Sequence, residues 1–353
     1  MSELSDWWNG FWDSIKHSPA VVPSHYQIPE RHLEKDVGGQ FRHGKHYFVI
    51  KVNRAFLQNG RELWQTFAPM ALTVCEFKYD GQDTVVPFVV GPSLLEKKQI
   101  EVPANFLFTD TKVAGIHPYK GGGLKLTVIL YQVKRSNLAE KLLTVAENLA
   151  SVVDLSQSLT SYLKIANLLV RTVGDVLGEN KENRPVIGLR KEFDGDEGFG
   201  PGYFALVNAK SMDRNKLWVR ESSLWFGDKE DALIEFTQAD YVLYSILQRI
   251  SRDDFEQLAP IHSMWEKVKS EAARSRTDQD WVNTKAIMST LYQEMVSSPD
   301  LTLDHANAID EEWEGDMVRI HERALEKVSH GAVEQPSDPL ARVRERARAI
   351  RSL

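Results

Sequence analysis

Apolar and polar residues change their period along this chain, and the changes divide it into segments. From about Tyr26 to Arg135 the period is two. In "KHYFVIKVNR" Phe48, Ile50 and Val52 fall on one face, the spacing of a half-buried strand. "MALTVCEFKYDGQDTVVPFVV" predicts a strand, a turn at Asp80-Gly81 and a return strand, with Gln82 and Asp83 lengthening the loop beyond two residues. Pro87 carries no N–H, which sends that return strand to a sheet edge. "IEVPANFLF" predicts a further strand. In "LKLTVILY" Leu124, Leu126, Val128 and Leu130 alternate with Lys125, Thr127, Ile129 and Tyr131. Several short strands separated by turn residues predict an antiparallel β-sandwich-like domain over residues 19–135.

After Arg135 the period becomes helical. Leu138, Leu142, Val145, Leu149 and Val152 recur at three- and four-residue steps, behind Ser136 or Asn137 as a cap. A second helix is predicted from about Ser158 to Leu177, apolar over more than half its circumference, so residues 136–180 read as a buried helical hairpin. Residues 185–230 return to short strands ("PVIGLR", "YFALVNAK", "LWVRESSLWF") that complete the sheet after this insertion. From about Asp231 to residue 328 the chain reads as helical, with Ser251 offered as a cap and Pro260 restarting the run. Ile261, Met264, Trp265 and Val268 line one helix of this domain. Trp281, Met288, Leu291, Tyr292 and Met295 line the next, and Ala306, Ile309, Trp313, Met317, Ile320 and Ala324 the third. A linker over 329–338 and a short basic helix over 339–353 end the chain. The fold class is therefore α+β: a β-sandwich-like domain with an inserted helical hairpin, then a C-terminal helical bundle.

Composition narrows the function only slightly. Apolar residues make up 42% and charged residues 26% of 353, an ordinary globular balance, and no run of apolar residues is long enough for a transmembrane helix. The N-terminus lacks the basic leader and apolar core of a signal peptide. Cys75 is the single cysteine, so an internal disulfide is excluded and a reducing cytoplasm is expected. The net charge of −7 is unevenly spread: residues 1–135 carry +3, 236–338 carry −10 and 339–353 carry +4. A domain at −10 repels phosphate backbones, which argues against nucleic acid.

The candidate chemistry is sparse. Gly121, Gly122 and Gly123 lack the Walker spacing and precede a strand rather than a helix, so they predict a turn or bulge and not a phosphate cradle. Asp194, Asp196 and Glu197 in "EFDGDEGFGPGYF" form a solvated loop, with a two-carboxylate calcium site as the alternative. Glu312 and Asp316, four apart on a helix, have Arg319 and Arg323 at hand to neutralise them. His43 and His46 lack further ligands nearby, and Cys75 on its alternating strand reads as a core thiol. No cofactor, metal or catalytic set is predicted.

The two ends carry the strongest signal. In "DWWNGFWDSI" Trp7, Trp8, Phe11 and Trp12 place four aromatics within six residues, and Trp8, Phe11, Trp12 and Ile15 share a helical stripe. Such a helix folds back on its own β domain, docks in a partner's groove or lies in a membrane interface, where its acids disfavour an anionic bilayer. The C-terminal stripe Leu340, Val343, Ala347 and Ile350 is ringed by Arg342, Arg344, Arg346, Arg348 and Arg351, and docks on a partner or on the acidic domain. The expected function is a non-catalytic adaptor or subunit of a cytosolic, bacterial multiprotein assembly. Other protein subunits are its partners, bound through terminal segments that can be deleted without unfolding the core. The alternatives are a peripheral membrane or pore-associated effector and an enzyme with a composite site.

Overall fold

The strands of the first domain are long and almost wholly apolar because most of them are covered on both faces. β2 (Tyr47–Phe56), β9 (Gly202–Val207) and β13 (Tyr241–Arg249) lie side by side in a five-stranded antiparallel sheet of order β1-β9-β13-β2-β6, where β1 is Ser24–Gln27 and β6 is Phe106–Pro118. One face of this sheet contributes Phe48, Ile50, Val52, Phe204, Tyr244 and Ile246 to the larger apolar core. The other face contributes Val49, Tyr203, Ala205, Tyr241 and Leu243 to a second core. That core is completed by Leu217, Leu224 and Phe236 in and beside a small sheet of β10 (Leu217–Arg220), β11 (Ser223–Phe226) and β12 (Ile234–Glu235). In a strand buried on both sides, alternation gives way to a continuous apolar run.

We describe these features in a computed structural model, whose described residues are 3–16, 24–58, 61–62, 65–90, 106–134, 184–193 and 200–333, with Leu159, Leu163 and Ala166. Among them the protein is α+β, with thirteen strands in antiparallel sheets and four helices, three of them C-terminal. A second five-stranded sheet has the order β3-β4-β7-β8, with β5 paired to β4. Its strands are β3 (Arg61–Glu62), β4 (Gln65–Tyr79), β5 (Gln82–Val90), β7 (Leu124–Lys134) and β8 (Arg184–Phe193). Its residues Leu72, Val74, Phe88, Leu126, Val128 and Ile187 belong to the same larger core as the first sheet. Leu159, Leu163 and Ala166, spaced as one helical face, are helical. Leu159 and Ala166 are buried in that core. The rest of the predicted hairpin, residues 136–180, lies outside the described residues, as does the Asp194–Glu197 loop.

A bulge adjusts the face parity of β2. Leu243 pairs with Arg54 but Tyr244 pairs with Val52, which leaves Asn53 as the extra residue. Even-numbered Phe48, Ile50 and Val52 therefore share a core with odd-numbered Ala55 and Leu57. At the β4–β5 turn Tyr79 pairs directly with Gln82, so the loop is the two residues Asp80 and Gly81, shorter than the sequence predicted. Their φ angles of 50° and 71° give the twist a two-residue hairpin requires. Pro87 lies on β5, which pairs only with β4 among the described residues, as its missing N–H demands. Gly121 and Gly122, at φ 80° and 78°, form the bend from β6 into β7, where Tyr119 Oη donates to the Gly122 carbonyl at 3.1 Å.

The chain forms two compact units, one built on Met1–Leu258 with Ser298–His305, the other on Ala259–Ser297 with Ala306–Leu353. The helical reading from Asp231 onward is corrected by β12 and β13. "YVLYSILQR" is buried on both faces, so its pattern carries no clear period and does not separate strand from helix. Ser251 caps nothing, because α2 begins at Ala259, with Pro260 in its first turn. In the second unit α2 (Ala259–Arg274), α3 (Asp278–Ser297) and α4 (Leu303–Val333) pack through Ile261, Trp265 and Val268, through Met288, Leu291 and Met295, and through Ile309, Trp313 and Met317. Trp265 stacks on Trp313 with ring centres 4.4 Å apart, and Trp281 stacks on His321 at 4.2 Å. Thr277 and Asp280 close a reciprocal cap on α3, each backbone N–H meeting the other's side chain. α4 continues to Val333, so the first part of the stretch read as a linker is helix. No helix among the described residues is long and apolar enough to cross a membrane.

Candidate interaction surface

The N-terminal segment forms α1 (Glu3–Ile15), and its aromatic stripe meets the chain's own β unit. Trp8 is 1% exposed and belongs to the larger core, where its burial alone removes about 200 Å² of ring surface from water. Trp7, Phe11, Trp12 and Ile15 pack against that core only in part. Trp7 stacks on Phe11 with centres 5.1 Å apart, and Trp8 lies 6.4 Å from Trp12 at a tilt. All four predicted aromatic positions are thus brought together, but they divide into one fully buried anchor and three partly buried rings. Deleting this helix removes a core residue, contrary to the expectation that it is dispensable for folding.

Polar contacts set the helix against β8. Arg190 Nη1 donates to Asn9 Oδ1 at 3.1 Å, and Arg190 Nη2 reaches both carboxylate oxygens of Glu76 at 2.9 Å. The Trp12 ring edge approaches Gly188, where an added Cβ would sit 3.9 Å from it. Beside this contact opens a cleft of about 280 Å³, lined by Trp12, Lys125, Arg190 and Glu192, with Lys125 and Glu192 paired across 3.5 Å. Small-molecule sites run from about 300 to 1,000 Å³ and are mainly apolar and enclosed. This open cleft, walled by one indole and three charged side chains, is smaller and more polar than such sites. Trp12 is legible in the sequence as part of the aromatic stripe, whereas Arg190, Lys125, Glu76 and Glu192 carry no local signal. Their β-strand neighbours face each other only through the β7–β8 register, in which Lys125 pairs with Glu192.

Among the described residues, a group of buried ionisable side chains gathers around Arg252 elsewhere in the first unit. Arg252, 3% exposed, grips Asp254 at 2.5 and 3.0 Å, donates to the Asp300 carbonyl at 3.1 Å and lies 3.6 Å from its carboxylate. Burial works against the Asp254 carboxylate, but the hydrogen bond and charge of Arg252 outweigh it and hold its pKa low. Burial raises the pKa of Asp300, partly offset by Arg252. Thr302 N–H donates to Tyr47 Oη at 3.0 Å, and the same oxygen is hydrogen-bonded to His305 Nδ1 at 2.8 Å. Burial, followed by the charge of Arg252, lowers the pKa of His305. His117 sits in an aromatic nest of Phe48, Phe77 and Tyr79. Burial, and secondarily Arg252, pushes its pKa down to about 3. These residues hold Ser298–His305 in the β unit; no sequence spacing announces them, since the stretch from Ser251 reads as a helix start.

The remaining candidates take their bland places. Cys75 is buried, and burial, then Glu76, raises its thiol pKa well above the ordinary value. His46 Nδ1 lies 3.0 Å from the Arg42 N–H and 2.9 Å from Gln248 Nε2. Asp316 pairs with Arg319 on the exposed side of α4. Among the described residues no three His, Cys, Asp or Glu side chains are grouped to hold a metal ion. Arg342, Arg344, Arg346 and Arg348 lie outside the described residues. No protein-family model matches the sequence, and neither a curated protein nor a solved structure matches it.

Proposed function

We propose that this chain is a non-catalytic adaptor of a cytosolic, bacterial multiprotein assembly, which binds another protein subunit through α1 and the cleft beside Trp12. The observation that carries the reading is the division of labour within α1. Trp8 roots the helix in the core, while Trp7, Phe11 and Trp12 are only partly buried and Trp12 lines a charged cleft. Rigidly held aromatics lose little conformational entropy on binding and dominate interface energies, with charged neighbours setting orientation. The interior ionisable groups favour a structural role as well, because Arg252, Arg190 and Arg54 each meet a carboxylate: Asp254, Glu76 and Glu235.

The scaffold in this reading is a β-sandwich. Leu72, Val74 and Val128 of one five-stranded sheet share a core with Ile50, Val52 and Ile246 of the other, which supports face-to-face packing. The helical Leu159, Leu163 and Ala166, between β7 and β8 in sequence, support an inserted helical hairpin against that core.

The test is affinity capture by the immobilised full-length chain and by a Trp7→Ala/Phe11→Ala/Trp12→Ala variant that retains Trp8. A subunit retained by the wild type should be lost by the variant, while its melting temperature stays within a few degrees. Equal retention by both proteins would dispose of the reading.

A further inference from the structure

We infer that the basic C-terminal segment, residues 340–351, docks in cis along the outer stripe of α4 as an additional, antiparallel helix of the C-terminal bundle. α4 turns Trp313 and Met317 inward, but its opposite side carries Val318 and Leu325, 40% and 41% exposed and seven residues apart. Glu311, Glu314 and Glu322 are exposed along the same stripe at helical spacing from them. Among the described residues no cation forms an ion pair with any of these three. Glu314 adds to the effect of burial in raising the pKa of Asp310 one turn away, so the charge here is crowded.

The C-terminal segment has the matching pattern. Leu340, Val343, Ala347 and Ile350 form an apolar stripe at helical spacing, and Arg344, Arg346 and Arg351 border it. Asp338 and Pro339 stand where a helix would want its N-cap and first residue.

Chain length permits the turn back and sets the register. Leu325 lies eight residues before Val333, the last helical residue, or about 12 Å back along the axis. Neighbouring helices lie about 9 Å apart, so the span to be bridged is about 15 Å. Residues 334–339 extend to about 20 Å. With Leu340 beside Leu325, an antiparallel helix brings Ala347 level with Val318 and the arginines level with Glu322 and Glu314. Such a short tether also gives the segment an effective concentration in the millimolar range, which favours cis over trans docking. The inference stands whether or not α1 binds a partner, and its test needs none.

Cys75 is buried and is the chain's single cysteine, so introduced cysteines are the accessible thiols. In the full chain, Val318→Cys with Ala347→Cys should form an intramolecular disulfide under mild oxidation. It should form at least about tenfold faster than Val282→Cys with Ala347→Cys, which uses an exposed position on α3. Adding Glu314→Lys and Glu322→Lys to the first pair should slow closure about fivefold, the effect of losing two exposed ion pairs. Equal rates for the two cysteine pairs, insensitivity to the charge reversals, or disulfides formed only between molecules would each overturn the inference.

Discussion

Acidification should unfold the β unit through histidines that the fold keeps neutral, His117 and His25 above all. Burial lowers the pKa of His117 from 6.5 to about 3 and that of His25 to about 4. A depressed histidine pKa means that the unfolded chain binds the proton more readily. The stability concerned is fully present above pH 6.5 and is lost as the pH falls toward the folded value. Between pH 7 and pH 5 each of the two contributes a loss of about 2 kcal/mol, together about 4 kcal/mol, a large part of an ordinary domain stability of about 5–15 kcal/mol. His46 and His305, whose pKa values burial also lowers, act in the same direction. Asp300 opposes them, since a raised carboxyl pKa favours the folded chain as the pH drops. Urea unfolding followed by tryptophan fluorescence at both pH values measures the sum. His117→Gln isolates one of the two equal contributors, because it abolishes titration whatever it does to absolute stability. The variant should lose about 2 kcal/mol less than the wild type between pH 7 and pH 5. An unchanged pH dependence in His117→Gln would refute the burial argument.

Further outcomes follow from the packing. Trp8→Ala should cost about 3–5 kcal/mol and Trp7→Ala clearly less, measured by denaturant unfolding, because only Trp8 is sealed in the core. Arg252→Met should cost about 3–5 kcal/mol by leaving Asp254 and Asp300 buried without their cation, and adding Asp254→Leu should restore much of the loss. Gly115→Ala should cost about 2–4 kcal/mol in melting experiments. Gly115 has φ 100°, and a Cβ there would lie 2.5 Å from the Phe48 carbonyl oxygen. Cys75 should resist thiol reagents in the native protein and react at the rate of global opening, since it is 2% exposed with its pKa raised.

The amino-acid sequence by itself determined the local elements whose two sides face different surroundings. Asp80-Gly81 specified its hairpin, Pro87 placed β5 beside a single partner among the described residues, and the glycines before Leu124 declared a bend. The stripes through Trp265, Met288 and Trp313 marked the three C-terminal helices, because a helix with one wet face keeps its period. Tertiary structure decided what lacks such contrast. β13 lost its alternation because both of its faces are buried, and only pairing with β2 and β9 makes it a strand. The same holds for the aromatic helix: composition demanded that "WWNGFW" be covered, but packing alone chose Trp8 as the buried ring and left Trp7, Phe11 and Trp12 at the surface. The cleft and the Arg252 cluster join residues from strands and loops far apart in the chain. Burial and charge pairing across such separations depend on the folded register, and no local spacing encodes that register.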